Sequence, residues 1–184
     1  MQYATIFDLI AAEFQKAGIT YLLIGGFAVN AYKVTRFTLD VDFLMAEEDR
    51  EKAASILEQA GFRERTHHQN FSGWGENPRY PTKVDLLFTD RQTLQAVWDQ
   101  GKAVKIAGCE LKVPSLEHLI AMKLHAIKQQ PERREWKDWM DIIQLIKIHQ
   151  VDTKSETFRK LCLKFGTADL YQRIRGHETQ EKKK

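Results

Sequence analysis

Three aspartates occur in two short apolar segments of the sequence. Asp40 and Asp42 alternate with apolar residues in the segment 39–45, and Asp85 lies inside the apolar run 83–88. Because side chains alternate across a strand, Asp40 and Asp42 are predicted to share one face, about 6.6 Å apart along the backbone. Two neighbouring carboxylates repel each other, and a divalent cation between them removes that cost. Since Mg²⁺ prefers carboxylate oxygens, the pattern predicts a magnesium site.

Asp85 completes this predicted site if its strand pairs with the strand that carries Asp40 and Asp42. Three converging carboxylates can hold two Mg²⁺ ions, one bound to phosphate oxygens and one lowering the pKa of an attacking hydroxyl group. Taken alone, an Asp-x-Asp pair is also typical of a solvated strand face. The metal interpretation therefore depends on Asp85 and on a phosphate-binding element nearby.

Gly25 and Gly26 provide the predicted phosphate-binding element. They follow the short apolar run 21–24 and precede a predicted helix over 27–32. A strand, two glycines and a helix start present backbone N–H groups to an anion, and glycine allows phosphate to approach closely. No Gly-Lys-Ser/Thr sequence follows, so this is not a Walker loop. On their own the two glycines would indicate only an ordinary turn.

The elements that must position these residues alternate between strands and helices. Strands are predicted at 21–24, 39–45 and 83–88, with a hairpin over 103–113 that turns at Ala107-Gly108. Helices are predicted at 3–17, 47–60 and 91–100, and then at 133–149 and 155–175 after one that begins at Pro114-Ser115. The stretch 63–81, rich in glycine and proline, is predicted as a long loop or a loose hairpin.

This pattern predicts an α/β fold with a small twisted mixed sheet flanked by helices and a helical C-terminal part. The predicted division is an α/β core over 1–113, a helical part over 114–176 packed on it, and a disordered basic tail over 177–184.

Composition is that of an ordinary globular protein, with 43% hydrophobic and 29% charged residues and a net charge of +3. No apolar run reaches the roughly 18 residues needed to span a membrane, and the first residues lack the features of a secretory signal. Cys109 and Cys162 are far apart, which argues against a disulfide framework and a structural zinc site. A cytoplasmic location is the simplest expectation.

The segments IGGFAVNAY and TRFTLDVDFLM, followed by a lone strand aspartate, resemble the signature of the DNA polymerase beta-like nucleotidyltransferase superfamily. Within it, the sequence is similar to minimal bacterial nucleotidyltransferases related to AbiEii-type toxins, over about residues 18–147. The second glycine of the turn, Gly26, departs from the more usual serine and removes a hydroxyl group that could contact phosphate. The resemblance extends to VPSLEHLIAMKLHAIKQQPERREWKDWMDIIQLI, where Lys123 and Asp138 match a lysine and an aspartate of those relatives.

Lys123 also stands out without the resemblance. On a helical projection it lies near the middle of the apolar stripe formed by residues 116, 119, 120, 124 and 127. A lysine in such a stripe requires an anionic partner, such as a phosphate or a carboxylate, unless its stem reaches solvent at the helix edge. Asp138 is predicted at the border of the next stripe, as a nucleotide ligand or as a helix charge or ion-pair partner, with Asp141 further out. Arg36 and Thr38 are further candidate nucleotide contacts.

The resemblance implies a Mg²⁺-dependent nucleotidyltransferase that moves a nucleoside monophosphate from an NTP, such as ATP, to an acceptor hydroxyl group. It implies that Asp40, Asp42 and Asp85 bind metal, that Gly25 and Gly26 receive the triphosphate, and that Lys123 neutralises the charge that develops on it. The acceptor stays open among RNA such as tRNA, protein and small molecules. Two alternatives are a toxin paired with an antitoxin and a non-catalytic relic that binds nucleotide or a partner.

Overall fold

The computed structural model describes residues 3–181, with side chains as far as residue 177. Contacts between residues divide the chain into two compact units. The first unit comprises Met1–Ala31 and Arg36–Ser115, and the second comprises Tyr32–Thr35 and Leu116–Lys184.

The first unit contains seven strands and four α-helices among its described residues. The strands are β1 Tyr21–Ile24, β2 Val41–Ala46, β3 Arg63–His68, β4 Phe71–Gly75, β5 Val84–Thr89, β6 Lys102–Ile106 and β7 Cys109–Val113. The helices are α1 Ile6–Lys16, α2 Gly25–Ala31, α3 Arg50–Gln59, which follows a 3₁₀ turn at Glu47–Asp49, and α4 Arg91–Asp99.

Five of these strands form a mixed sheet in the order β1-β2-β5-β4-β3. Strands β2 and β5 run parallel, and the other neighbours pair antiparallel. Strands β6 and β7 form a separate hairpin. The mixed sheet with its helices confirms the predicted α/β fold class.

Alternation along β2 and β5 decides which face of the sheet is core. Phe43 and Leu86 are fully buried, whereas Asp42 and Asp85, which alternate with them, are half-buried. The ring of Phe14 on α1 packs against Phe43, with ring centroids 6.4 Å apart. The apolar residues of both strands therefore fix the aspartates on the opposite face.

The strand predicted over 39–45 begins two residues later than expected. The backbone ladder starts where the Val41 N–H donates to the Lys83 carbonyl at 2.9 Å. The Leu39 carbonyl is instead occupied by the side-chain hydroxyl of Thr82. Asp40 thus precedes β2 and does not lie within it.

The stretch 63–81, which was predicted as either a long loop or a loose hairpin, contains the β3–β4 hairpin. Its two strands are joined by Gln69 and Asn70. The guanidinium of Arg50, which lies 3.8 Å from the centre of the Phe88 ring, donates to the carbonyls of His68 and Gln69. A buried arginine thereby satisfies the carbonyl groups at the start of this turn.

The second unit is helical in its described part. Its helices are α5 Leu116–Gln129, α6 Pro131–His149, α7 Glu156–Phe165 and α8 Ala168–Glu181. The single helix predicted over 155–175 is wrong, because the chain leaves helical geometry at Gly166 (φ −110°, ψ −136°). The Thr167 hydroxyl then accepts from the Leu170 N–H at 3.1 Å and starts α8.

The predicted basic tail over 177–184 stays a prediction. Helix α8 includes residues up to Glu181, and residues 182–184 lie outside the described part of the chain. Among the residues that the structure describes, no helix combines the length and the apolar character needed to cross a membrane.

Leu86 tests the role of the core face in holding β5. We expect Leu86→Ala to lower the free energy of unfolding by about 2–5 kcal/mol, because the fully buried side chain leaves a cavity. Leu163→Ala serves as the control, since Leu163 is 41% exposed and its truncation costs far less. If urea denaturation showed the same loss of unfolding free energy in both variants, this assignment of the core would be contradicted.

Candidate active site

Asp42 and Asp85 are direct partners on the parallel strands β2 and β5. On the outer sides of this pair, Asp42 is opposite Ile24 on β1 and Asp85 is opposite Gly73 on β4. Directly opposed residues point to the same face of a sheet. The fold therefore brings two of the three predicted aspartates together, although they are more than forty residues apart in the chain.

Gly25 sits against the carboxylate of Asp42. Its φ of +62° is in the left-handed region that favours glycine. A Cβ atom added at Gly25 would lie only 2.0 Å from Asp42 Oδ2. The first glycine of the turn thus has two separate reasons to be glycine, its backbone conformation and the space that the carboxylate occupies.

Gly73 plays a comparable spatial role for Asp85. A Cβ atom added at Gly73 would lie 3.3 Å from Asp85 Oδ1 and 3.4 Å from the Phe71 ring. The carboxylate of Asp42 therefore lies against a glycine on the β1 side, and that of Asp85 against a glycine on the β4 side. Sequence reasoning missed Gly73, because its importance depends on a register that the sequence does not display.

The described residues contain no group of three histidine, cysteine, aspartate or glutamate side chains arranged to hold a metal ion. Asp40 lies two residues before Asp42, and its backbone carbonyl accepts from the Thr38 hydroxyl at 3.3 Å. The structure thus groups Asp42 with Asp85 but does not gather all three carboxylates. The role of Asp40 as a third metal ligand stays a prediction.

Arg36 and Thr38 lie over Gly26, the second glycine of the turn. A Cβ atom added at Gly26 would meet Thr38 Oγ1 at 2.6 Å and Arg36 Nη2 at 3.1 Å. The Arg36 backbone is held by Asn30, whose side-chain amide donates to the Arg36 carbonyl at 3.0 Å and accepts from its N–H at 3.1 Å. The two predicted nucleotide contacts are therefore adjacent to the turn, and Asn30 is a positioning residue that the sequence analysis missed.

Lys123 lies in the second unit and is buried, so the alternative in which its ammonium reaches solvent is wrong. Its Nζ is 2.8 Å from Asp138 Oδ1 and 2.6 Å from Asp141 Oδ2. Asp141 was predicted further out than Asp138, but both aspartates are buried, because α6 turns both side chains toward α5. The observed partners of Lys123 are thus two carboxylates.

Neither cysteine provides a thiolate at neutral pH. Burial raises the pKa of the Cys109 thiol to about 11, and a hydrogen bond to Asp8 acts in the same direction. Burial raises the pKa of the Cys162 thiol to about 12. Both cysteines are free, so a covalent mechanism through either is disfavoured.

Gly25 and Gly18 form a matched pair for testing the contact with Asp42. Both have positive φ values, +62° and +67°, but a Cβ atom at Gly18 would meet nothing within 4 Å. We expect Gly18→Ala to cost only the backbone strain of about 1–2 kcal/mol. Gly25→Ala should cost more, because the carboxylate of Asp42 must also move. Equal losses of thermal stability in the two variants would show that the Asp42 side chain moves away from the added methyl group at no cost, which would contradict this prediction.

Lys123 provides a second test. We expect Lys123→Met to lower the free energy of unfolding by about 3–5 kcal/mol, because two buried carboxylates lose their counter-charge. Arg159→Met is the control, since the ion pair of Arg159 with Glu156 is exposed and worth about 1 kcal/mol or less. Similar denaturation midpoints for the two variants would contradict the buried ion-pair cluster.

Several solved structures are similar to the chain. The antibiotic-resistance factor ANT(2'')-Ia matches with 19% identity and a TM-score of 0.57, covering 94% of this chain and 89% of that one. The lincosamide antibiotic adenylyltransferase LnuA matches with 17% identity and a TM-score of 0.54, covering 73% and 90%. An antigenic nucleotidyltransferase-like protein from Paracoccidioides brasiliensis matches with 21% identity and a TM-score of 0.52, covering 76% and 73%. At these identities the similarity shows the nucleotidyltransferase fold.

No curated protein sequence is significantly similar to the chain. A family model described as "Uncharacterised nucleotidyltransferase" matches residues 1–175, which is nearly the whole sequence. Together with the fold, this match shows that the chain is a nucleotidyltransferase and belongs to that family.

Proposed function

We propose that the protein transfers a nucleoside monophosphate, with ATP as the donor, to an acceptor hydroxyl group and releases pyrophosphate. The observation that carries this proposal is the pairing of Asp42 with Asp85 beside the Gly25-Gly26 turn. Two neighbouring carboxylates repel each other, and a divalent cation held between them lowers that cost. The pair therefore supports a metal-dependent reaction at this site.

Asp42 and Asp85 fit Mg²⁺ through their chemistry. Mg²⁺ is commonly bound by only one or two carboxylates together with substrate phosphates, so these two residues suffice for a first ion. We propose that Asp40 joins them when nucleotide is bound and that the three together hold two ions. When bound, Mg²⁺ neutralises phosphate charge and lowers the pKa of the attacking hydroxyl group.

Arg36 and Thr38 are proposed to bind the triphosphate together with Gly25 and Gly26. A guanidinium group and a hydroxyl group are suitable donors to phosphate oxygens. Their closeness to the Cβ position of Gly26 supports this role, because both donors lie beside the glycines that are proposed to receive the phosphates.

Asp85 is proposed to accept the proton of the acceptor hydroxyl group. The acceptor oxygen then forms a bond to the α-phosphorus, and the bond from that phosphorus to the bridging oxygen of pyrophosphate breaks. Charge accumulates on the transferred phosphoryl group and on the leaving pyrophosphate, so fixed positive groups accelerate the step.

Lys123 and Asp138 have nucleotide-site roles only through the family resemblance. The ion pairs of Lys123 with Asp138 and Asp141 support a narrower proposal, in which the two carboxylates fix the orientation of the ammonium group. A contact of Lys123 or Asp138 with nucleotide stays a prediction.

The remaining functional alternatives differ in which molecule, if any, receives the nucleotidyl group. A toxin related to the AbiEii type would modify tRNA and be neutralised by an antitoxin. A relic of the fold would bind nucleotide without turnover. The similar structures of ANT(2'')-Ia, one of them in complex with adenylyl-2''-tobramycin, support adenylyl transfer to a hydroxyl group as the leading proposal.

Asp42→Asn tests the proposed reaction. We expect calorimetry to show Mg²⁺-dependent ATP binding by the wild type and a loss of at least about tenfold in affinity in the variant, equal to about 1.4 kcal/mol. Turnover of labelled ATP should disappear, because the substitution removes a carboxylate charge without changing the size of the side chain.

Asp99→Asn is the matched control, since Asp99 ends α4, accepts a hydrogen bond from Gln95 at 2.6 Å and lies outside the site. It should bind ATP as the wild type does. Substantial turnover by Asp42→Asn would disprove the mechanism, and ATP binding without turnover on any acceptor would favour the relic.

A further inference from the structure

An open pocket of about 480 Å³ lies in the first unit, at the ends of β2 and β5 where both strands begin. Its wall includes Asp40, two residues before Asp42, and Lys83, two residues before Asp85. The hydrogen bond from the Val41 N–H to the Lys83 carbonyl shows that the two chains are still paired here. Two residues of a strand span about 6.6 Å. Asp40 and Lys83, which line the pocket, are therefore about this far along the backbone from the paired aspartates.

Most residues of the segment 76–83 line the pocket, and hydrogen bonds hold this segment in place. The side-chain amide of Asn77 donates to the Ala60 carbonyl at 2.9 Å and accepts from the backbone N–H groups of Arg79 and Tyr80. Asn77 is buried, so these hydrogen bonds are shielded from competing water. Such an anchored wall is pre-organised for a ligand, which reduces the entropy lost on binding.

Tyr80 anchors the same wall from its other side. Its hydroxyl group donates to the Tyr3 carbonyl at 2.9 Å, and its ring stacks on Phe62 with centroids 6.0 Å apart. The Thr82 hydroxyl group donates to the Leu39 carbonyl, which ties together two parts of the chain that line the pocket. The shape of the pocket is therefore set by contacts within the first unit.

The lining combines apolar and polar groups. Leu39 exposes 63% of its surface at the rim, although it lies one residue from Asp40, and prolines 78 and 81 present further apolar surface. Beside these apolar residues, the lining includes the charged residues Asp40, Glu76 and Lys83 and the neutral polar residues Asn77 and Thr82. An anchored pocket of this volume with a few polar groups fits a small molecule.

We propose that this pocket binds the acceptor and that the acceptor is a small hydroxylated molecule with an apolar face. This inference rests on the proposed nucleotidyl transfer. The apolar face lies against Leu39 and the prolines, and the hydroxyl group points toward Asp85. That hydroxyl gives its proton to Asp85, and its oxygen replaces pyrophosphate on the α-phosphorus, so the product is the nucleotidyl ester of the small molecule.

Leu39→Trp tests the pocket, with Phe37→Trp as the matched control. Both residues are exposed and apolar, in the same segment, but only Leu39 lines the pocket. An extract of the source organism is divided by ultrafiltration into a small-molecule fraction and a macromolecular fraction. Each is incubated with the full chain, Mg²⁺ and ATP labelled at the α-phosphate, while calorimetry measures ATP affinity separately.

The expected result is label transferred into the small-molecule fraction by the wild type and by Phe37→Trp. Leu39→Trp should lose at least about tenfold of this transfer at unchanged ATP affinity, because displacing a reactant by about 1 Å costs up to about a hundredfold in rate. Label only in RNA or protein, no label in either fraction, or equal transfer by both variants overturns the pocket assignment. Failure of the wild type to bind ATP overturns the proposed function itself, which separates the two outcomes.

Discussion

The parallel pairing of β2 with β5 is the interaction on which the candidate site depends. It sets Asp42 directly beside Asp85, and the alternation of side chains then sends Phe43 and Leu86 into the core on the other face. A slip of one residue in this register would bury the aspartates and expose the apolar residues. The hydrophobic core therefore stabilises the placement of the carboxylates on the opposite face of the sheet.

Three glycines leave the space that side chains of the candidate site occupy. Gly25 leaves room for the carboxylate of Asp42, Gly26 for Thr38 and Arg36, and Gly73 for Asp85. In each case the missing side chain provides the space in which a functional group lies. The lack of a Cβ atom at these glycines is therefore as necessary to the candidate site as its charged residues are.

Much of this arrangement could be predicted from local patterns. Periodicity indicates the alternating apolar residues of β2 and β5 and the position of Lys123 in an apolar stripe, and residue type indicates the glycine turn. The structure confirms the α/β fold. The start of β2 could not be predicted, because it depends on Thr82, which is distant in sequence and occupies the Leu39 carbonyl.

Other features escaped prediction for the same physical reason. The position of Asp141 beside Lys123 requires the packing of α6 on α5, and the role of Gly73 requires knowledge of the strand opposite Asp85. The break between α7 and α8 at Gly166 was indicated in the sequence only by the weak helix propensity of glycine. Packing commonly overrides such a propensity. Periodicity identifies which residues belong to an element, whereas tertiary contacts decide which of them meet.

The position of β5 between β2 and β4 has a consequence for how the protein is made. Strand β2 must stay unpaired on this side until the chain has passed through the hairpin and reached residue 84, because its parallel partner comes later than β3 and β4. Long-range parallel pairing of this kind is intrinsically slow, since the loop must close before contacts compensate for the lost entropy. During synthesis on the ribosome, the emerging chain accordingly lacks the paired aspartates until β5 has left the exit tunnel, so the candidate site forms only after the last residue of β5, Thr89, has emerged.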